Sequence, residues 1–307
     1  MNRWQTVRPE QKYTVRQFES EFPSEDACLE YVKEKRFPGG MALCVNCKVE
    51  RKHYRVSGRT SYACHACGNH IYPLAGTIFH KSTTSLRTWF LVIRLMASTR
   101  VGISAKQIQR ETGVTYKTAW RMMKQVRKLM GEKITLSGPV EVDESYFGGS
   151  DENKPKHLRG RKKTPVLGMV ERGGRVVAQV IPNVATAAMV ATVRKTIEAG
   201  STTITDEAHA FQIAAYNHFT HLTVNHSKGY VNGPAHTNTI EGFWSLVKRG
   251  ISGVYYQVGL DYLQSYLNEY AFRYNRRKVM RPMFSLLAER TTQQVCPSAR
   301  EQRLLGS

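Results

Sequence analysis

Acidic residues are scarce: 24 Asp and Glu stand against 45 Lys and Arg in 307 residues, a formal net charge of +21. A chain so short of acid repels itself unless a polyanion neutralises it, and nucleic acid is the abundant candidate. Long apolar runs are missing too. None approaches the ~18–20 residues of a membrane helix, because residues such as Arg94 interrupt the best candidates. The opening Met1-Asn2-Arg3-Trp4-Gln5 lacks the apolar stretch of a signal peptide. Membrane and secreted classes are therefore not expected. Internal repeats and low-complexity tracts are absent. Cysteine is sparse, at six residues, and in an intracellular chain it is expected to stay reduced, so its spacing is read for metal binding. Hydrophobic residues are not scarce: at 41% they supply a core, which argues against wholesale disorder.

The length suggests about two or three units. Residues 1–139 hold 24 basic and 10 acidic residues, so most of the excess charge lies in the first half. Composition shifts divide the chain into an N-terminal helical segment (1–40), a Cys-rich module (41–80), a helical module (81–135), a mixed α/β domain (136–285) and a C-terminal tail (286–307). In the first segment Ser24 caps a helix with Glu25 and Asp26 at its start and Lys33, Lys35 and Arg36 at its end, which Pro38-Gly39-Gly40 closes.

Cys44-x2-Cys47 and Cys64-x2-Cys67, sixteen residues apart, place two thiolates on each of two tight turns. Facing each other, such knuckles form a tetrahedral Zn²⁺ site. Four protein ligands leave no open position, so this zinc is structural. His53–Val56 and Ser61–Ala63 read as a small hairpin between the knuckles. The module has too little apolar mass to fold without metal.

A helix-turn-helix follows. Helices are expected from Leu91 to about Ser98, from Ala105 to Glu111 after Ser104, and from Tyr116 to Met130 after Thr115, with Gly113 at the turn. The third helix would present Tyr116, Lys117, Arg121, Lys124 and Arg127 to DNA, its N-terminal residues near base edges and later ones near phosphates. The alternative is an ordinary helical bundle with a charged solvent face.

From Pro139 onward, β-branched runs alternate with helical patterns, the mark of an α/β domain. Alternation in Pro139–Gly149 puts Val140 and Val142 on one face and Glu141, Asp143 and Ser145 on the other. Asp206 stands at the end of the strand Ser201–Thr205, and a later helix carries Glu241 and Lys248, seven residues apart and so on one face. Each acid alone has a plainer explanation as a turn, cap or surface residue. Together on strand, strand and helix, Asp143, Asp206 and Glu241 suit two hard divalent cations for in-line phosphoryl displacement, with Lys248 holding DNA phosphate nearby.

The sequence resembles the zinc-ribbon-bearing DDE transposases of bacterial insertion sequences, the ISXO-two-like group. The resemblance rests on Arg36-Phe-Pro-Gly-Gly40 with the knuckles, Gly76–His80, Ile103–Ile108 with Val114–Trp120, Val142–Gly149 and His236–Arg249, and covers about residues 18–275. It implies a ribonuclease H-like catalytic fold, with Asp143, Asp206 and Glu241 as ligands of Mg²⁺ or Mn²⁺ and Lys248 as the accompanying base. Some relatives replace the third acid by Asn or His, whereas Glu241 stands here. His209, His226, His236 and Asn238 match family positions near the site without an assigned role. The resemblance further implies binding of terminal inverted repeats, strand cleavage to free a 3′-hydroxyl, transfer to target DNA, a homodimer or larger assembly on DNA, and a nucleoid-associated, cytoplasmic location in a bacterium. The competing readings are a zinc-ribbon/helix-turn-helix transcription regulator without catalysis and a ribonuclease H-like repair nuclease.

Overall fold

A computed structural model describes residue 10 and residues 12–148, 163–206, 219–224 and 236–293. The chain forms two units. One comprises residues 1–99, 105–129 and 279–307, and the other residues 100–104 and 130–278.

The first unit opens with α1 (Val15–Glu21) and α2 (Glu25–Arg36). Both have side-chain N-caps: the Thr14 hydroxyl accepts from Gln17 N at 3.2 Å and the Ser24 hydroxyl from Ala27 N at 3.2 Å. Four short strands, β1 (Met41–Leu43), β2 (Glu50–Arg55), β3 (Tyr62–Cys64) and β4 (His70–Ile71), pair antiparallel in that order. Then come α3 (Leu86–Ser98), α4 (Ala105–Thr112) and α5 (Tyr116–Leu129). Helix α3 begins five residues earlier than its apolar spacing suggested. Ser85 caps it, and the Glu25 carboxylate accepts from Leu86 N at 2.6 Å and Arg87 N at 3.0 Å, an N-terminal anchor supplied from α2. Gly113, at φ +72°, turns the chain from α4 into α5, and the Thr115 hydroxyl caps α5 by accepting from Thr118 N at 3.2 Å.

The stretch expected to be a C-terminal tail is different. Met283–Gln293 forms a helix, α9, of this first unit, in which Phe284, Leu287 and Ala288 are buried. Phe284 stacks on Tyr13 at 4.4 Å and meets Phe18, Phe22 and Phe90 edge-on, closing an aromatic core. The mixed α/β domain correspondingly ends near residue 278 instead of 285.

The second unit is built on a five-stranded sheet of β5 (Pro139–Phe147), β6 (Thr164–Glu171), β7 (Val176–Val180), β8 (Thr202–Asp206) and β9 (Thr220–Val224), in the order β7-β6-β5-β8-β9. β5, β6 and β7 are antiparallel neighbours, whereas β8 runs parallel to β5 and β9 parallel to β8. On one face Val140, Val142, Leu167 and Met169 pack with Met189 and Val193 of α6 (Thr186–Thr196). On the other, Phe147, Val166 and Val170 pack with Ile240, Phe243, Trp244 and Val247 of α7 (Asn238–Gly250) and with Leu263, Leu267 and Tyr270 of α8 (Leu260–Asn275). Strand alternation thus assigns Glu141 and Asp143 to the face that α7 covers.

Candidate active site and metal centre

The two cysteine knuckles share one backbone pattern. Lys48 N donates to Cys44 O at 2.8 Å and Cys44 N to Val49 O at 3.0 Å, and likewise Gly68 N donates to Cys64 O at 2.9 Å and Cys64 N to Asn69 O at 2.8 Å. The residue after each second cysteine adopts positive φ, +60° at Lys48 and +72° at Gly68, so both turns close tightly. The Sγ atoms of Cys44, Cys47, Cys64 and Cys67 all lie within 4.8 Å of one another. Zn–S bonds of about 2.3 Å at tetrahedral angles need sulfurs about 3.8 Å apart, so this donor set fits zinc. The Cys47 N–H holds the Cys44 thiol below its ordinary pKa, whereas a hydrogen bond with Cys67 pushes the Cys47 thiol up. Zinc removes that competition by taking all four as thiolates.

In the second unit, the strands and α7 position the acids. The Trp244 indole Nε1–H donates to Asp143 Oδ2 at 3.0 Å. Asp143 pairs across the sheet with Gly168, where an added Cβ would come within 2.4 Å of the Trp244 ring. Gly168 therefore leaves the space in which the indole lies over β6 and reaches the aspartate. Glu241 sits exposed in the first turn of the same helix, its Oε1 accepting from the Thr237 hydroxyl at 2.9 Å. Lys248, two turns on, is exposed as well. Asp206 ends β8. The β5–β8 pairing includes Glu141↔Ile204, and two residues further along each strand stand Asp143 and Asp206. The Asp206 side chain, like His209 and His226, lies outside the described residues.

Sequence reading noted Glu141 only by its face, and missed what it does. Its carboxylate is 0% exposed and sits at the N-terminus of α7, accepting from Thr239 N at 2.9 Å, Ile240 N at 3.0 Å and the Thr239 hydroxyl at 2.8 Å. Arg172 donates to the same carboxylate at 3.3 Å and to the His236 carbonyl at 3.0 Å, and His236 Nδ1 stands 3.2 Å from Glu141 Oε1. A buried anion against helix N–H groups fixes the origin of the helix that carries Glu241 and Lys248. The available signal was a glutamate between two strand valines, a residue seldom buried unless paired.

On α5, Tyr116, Lys117 and Arg121 are exposed, with the Lys106 ammonium 5.1 Å from the Tyr116 ring centroid. Lys124 is half-buried with its ammonium 5.5 Å from the Trp120 ring centroid. Arg127 does not belong with them. It is only 2% exposed, because it falls one turn after Met123 and two after Ala119, on the buried face of the helix.

Two family models match. A transposase zinc-ribbon domain covers residues 23–70, and an ISXO2-like transposase domain covers residues 135–275. Along 277 residues the chain is 31% identical to an uncharacterized protein in transposable element ISH50 of Halobacterium salinarum, spanning 82% of this chain and 91% of that one. The chain belongs to the ISXO2-like insertion-sequence transposases. An uncharacterized transposase-like protein of Haemophilus influenzae is 25% identical over 105 residues, 34% of this chain and 85% of its own length.

The transposase matches fall on the structure in two blocks. The zinc-ribbon match takes in α2 and all four cysteines, and the transposase-domain match takes in the whole five-stranded sheet, α7 and α8. Membership in a transposase family implies transposition chemistry with DNA as partner. No helix among the described residues is long and apolar enough to cross a membrane.

Proposed function

We propose that this transposase binds the terminal inverted repeats of its own element through α5 and the zinc ribbon, and cleaves and transfers the strand ends in a ribonuclease H-like domain. The sheet order supports the fold reading: three antiparallel strands followed by two parallel to the central one, with helices on both faces. The observation that carries the catalytic reading is the tie between Trp244 and Asp143, which joins the central strand to the helix bearing Glu241 and Lys248.

Asp143, Asp206 and Glu241 form the ligand set in this reading, a hard oxygen donor set suited to Mg²⁺ or Mn²⁺. Divalent ions bound there supply Lewis-acid stabilisation of charge on the scissile phosphate and on the attacking and leaving oxygens. The protein's own residues hold the geometry. Trp244 fixes the rotamer of Asp143. Thr237 restrains Glu241 in the same manner, and Glu141 with Arg172 fixes the helix start. Lys248 draws a DNA phosphate onto the exposed face two turns away. Cleavage and transfer are one substitution with water or a 3′-hydroxyl as nucleophile, so one site serves both. Outside it, Tyr116, Lys117, Arg121 and Lys124 face the repeat, and a dimer or larger assembly would pair two ends.

Asp143→Ala in the full chain tests the reading. It should retain binding of terminal-repeat DNA in a gel-shift assay and lose Mg²⁺-dependent nicking of that DNA. Nicking at the wild-type rate by this variant would place the chemistry elsewhere.

A further inference from the structure

Helix α7 does not end in an ordinary cap. It runs into a π-helical turn, Ile251–Tyr255, and then into Tyr256 at φ +58° and ψ −54°. Gln257 N donates to Tyr255 O at 2.6 Å, which makes Tyr256 the centre of a γ-turn with positive φ. That conformation is rare and strained, and more so for an aromatic residue than for glycine. Its side chain is 86% exposed, the most exposed large apolar side chain among the described residues. Neither hydrophobic packing nor backbone preference explains a tyrosine there.

The neighbour holds it in place. The Tyr255 hydroxyl donates to the buried Glu269 carboxylate at 3.1 and 3.2 Å, and its ring meets Tyr266 edge-on at 4.7 Å. Gly102 leaves room for that ring, since a Cβ there would come within 2.2 Å of the Tyr255 hydroxyl. An anchored residue thus forces the next one outward. Strain maintained by a surrounding structure of this kind is an indicator of function, and π-helical turns recur at functional sites.

The direction of the projection matters. Glu241, Ser245, Lys248, Ser252 and Tyr256 are all exposed and follow one another at spacings of four, three, four and four. The first three share one face of α7, and Ser252 and Tyr256 follow in the π-helical turn and the γ-turn that continue it. At about 1.5 Å per residue the α-helical part from Glu241 to Lys248 spans about 10 Å, about three nucleotides of one strand at about 3.4 Å each, and Tyr256 lies beyond it. Lysine and serine hydroxyls answer phosphates along such a path. Tyrosine offers instead an aromatic face, whose matching partner on DNA is the face of an unpaired base.

We infer that Tyr256 is a base-stacking residue that takes an unpaired nucleobase of the DNA strand lying along α7. The inference rests on the reading above that this helix lines the DNA path.

The test uses the full chain and two probes: a paired duplex, and the same duplex with unpaired thymidines in one strand, with binding read by fluorescence anisotropy. Wild type should prefer the unpaired probe by about tenfold, the scale of one base–aromatic stack. Tyr256→Ala and Tyr256→Gly should abolish the preference without changing duplex affinity, and Tyr256→Phe should keep it. Thermal unfolding separates this from a structural role, because Tyr256→Gly should melt at or above the wild-type temperature once the strain is relieved. Duplex binding with no preference in wild type, or a preference that survives Tyr256→Ala, overturns the inference and leaves the DNA reading intact. So does a Tyr256→Gly variant that loses both stability and the preference. Failure of wild type to bind either probe overturns both.

Discussion

The Trp244 indole N–H donates to Asp143 Oδ2 at 3.0 Å, joining the helix that carries Glu241 to the central strand of the sheet. This bond couples the packing core to the chemistry, since the same ring contributes to the apolar cluster beneath α7. Replacing the indole by phenyl removes the donor and keeps an aromatic, though smaller, ring in that cluster. Trp244→Phe should slow Mg²⁺-dependent nicking by about ten- to a hundredfold, as losses of groups that orient metal ligands do. Stability should fall by about 1–3 kcal/mol in denaturant titration, from the lost hydrogen bond and the space that the smaller ring leaves. A variant that nicks at the wild-type rate would reduce Trp244 to a packing residue.

Gly168 is the other half of that arrangement. Its replacement by alanine puts a methyl where the indole lies, 2.4 Å from a ring carbon. Overpacking of this sort costs about 1–3 kcal/mol. Gly168→Ala should therefore be less stable and also impaired in nicking, because the ring must shift away from Asp143. Loss of stability with unchanged nicking would separate the two.

Glu141 bears on where the helix starts. Glu141→Ala should destabilise the fold by about 3–5 kcal/mol, since it leaves Arg172 facing a buried void and two helix N–H groups without their acceptor. Glu141→Gln, which retains an acceptor oxygen, should lose less. Equal losses in the two variants would show that packing alone, and not the acceptor, matters there.

Much of this was legible before any coordinates, and the reason is distance along the chain. The cysteine knuckles, the Ser24 and Thr115 caps and the Gly113 turn are each set by residues within a few positions of one another. The Glu141 clamp was not legible, because its partners on α7 lie 98 and 99 residues away. The same holds for α9. Phe284 at spacing three and four with Leu287 and Ala288 reads as an amphipathic helix, but its partners Phe18, Phe22 and Phe90 sit near the opposite end of the chain. Arg127 was misplaced by a single step of helical phase. It was expected on the face that the third helix presents to DNA, and its position relative to Met123 puts it in the core.

That phase error is itself testable. Arg121→Ala should weaken DNA binding and lower the slope of affinity against salt by about one charge while leaving the melting temperature unchanged. Arg127→Ala should do the reverse, lowering the melting temperature with no change in the salt slope of the folded protein. The opposite pattern would return Arg127 to the DNA-facing set.

The zinc centre predicts a domain-level effect. Chelation, or Cys64→Ser, should strip the metal and unfold residues 41–71, visible as lost zinc in elemental analysis and as new proteolytic cuts in that span. Full zinc content in purified Cys64→Ser would contradict the four-thiolate site.

The claim on which the enzymatic account stands is that the acids of this site hold divalent ions against the phosphate being cut. Replacing a non-bridging oxygen of that phosphate with sulfur tests it, because sulfur binds Mg²⁺ poorly and Mn²⁺ better. Nicking of the sulfur-substituted DNA by the wild-type chain should collapse in Mg²⁺ and recover in Mn²⁺, and Asp143→Ala should show neither. Equal rates on the two substrates in Mg²⁺, or a loss that Mn²⁺ fails to restore, would mean that no metal ion touches the scissile phosphate.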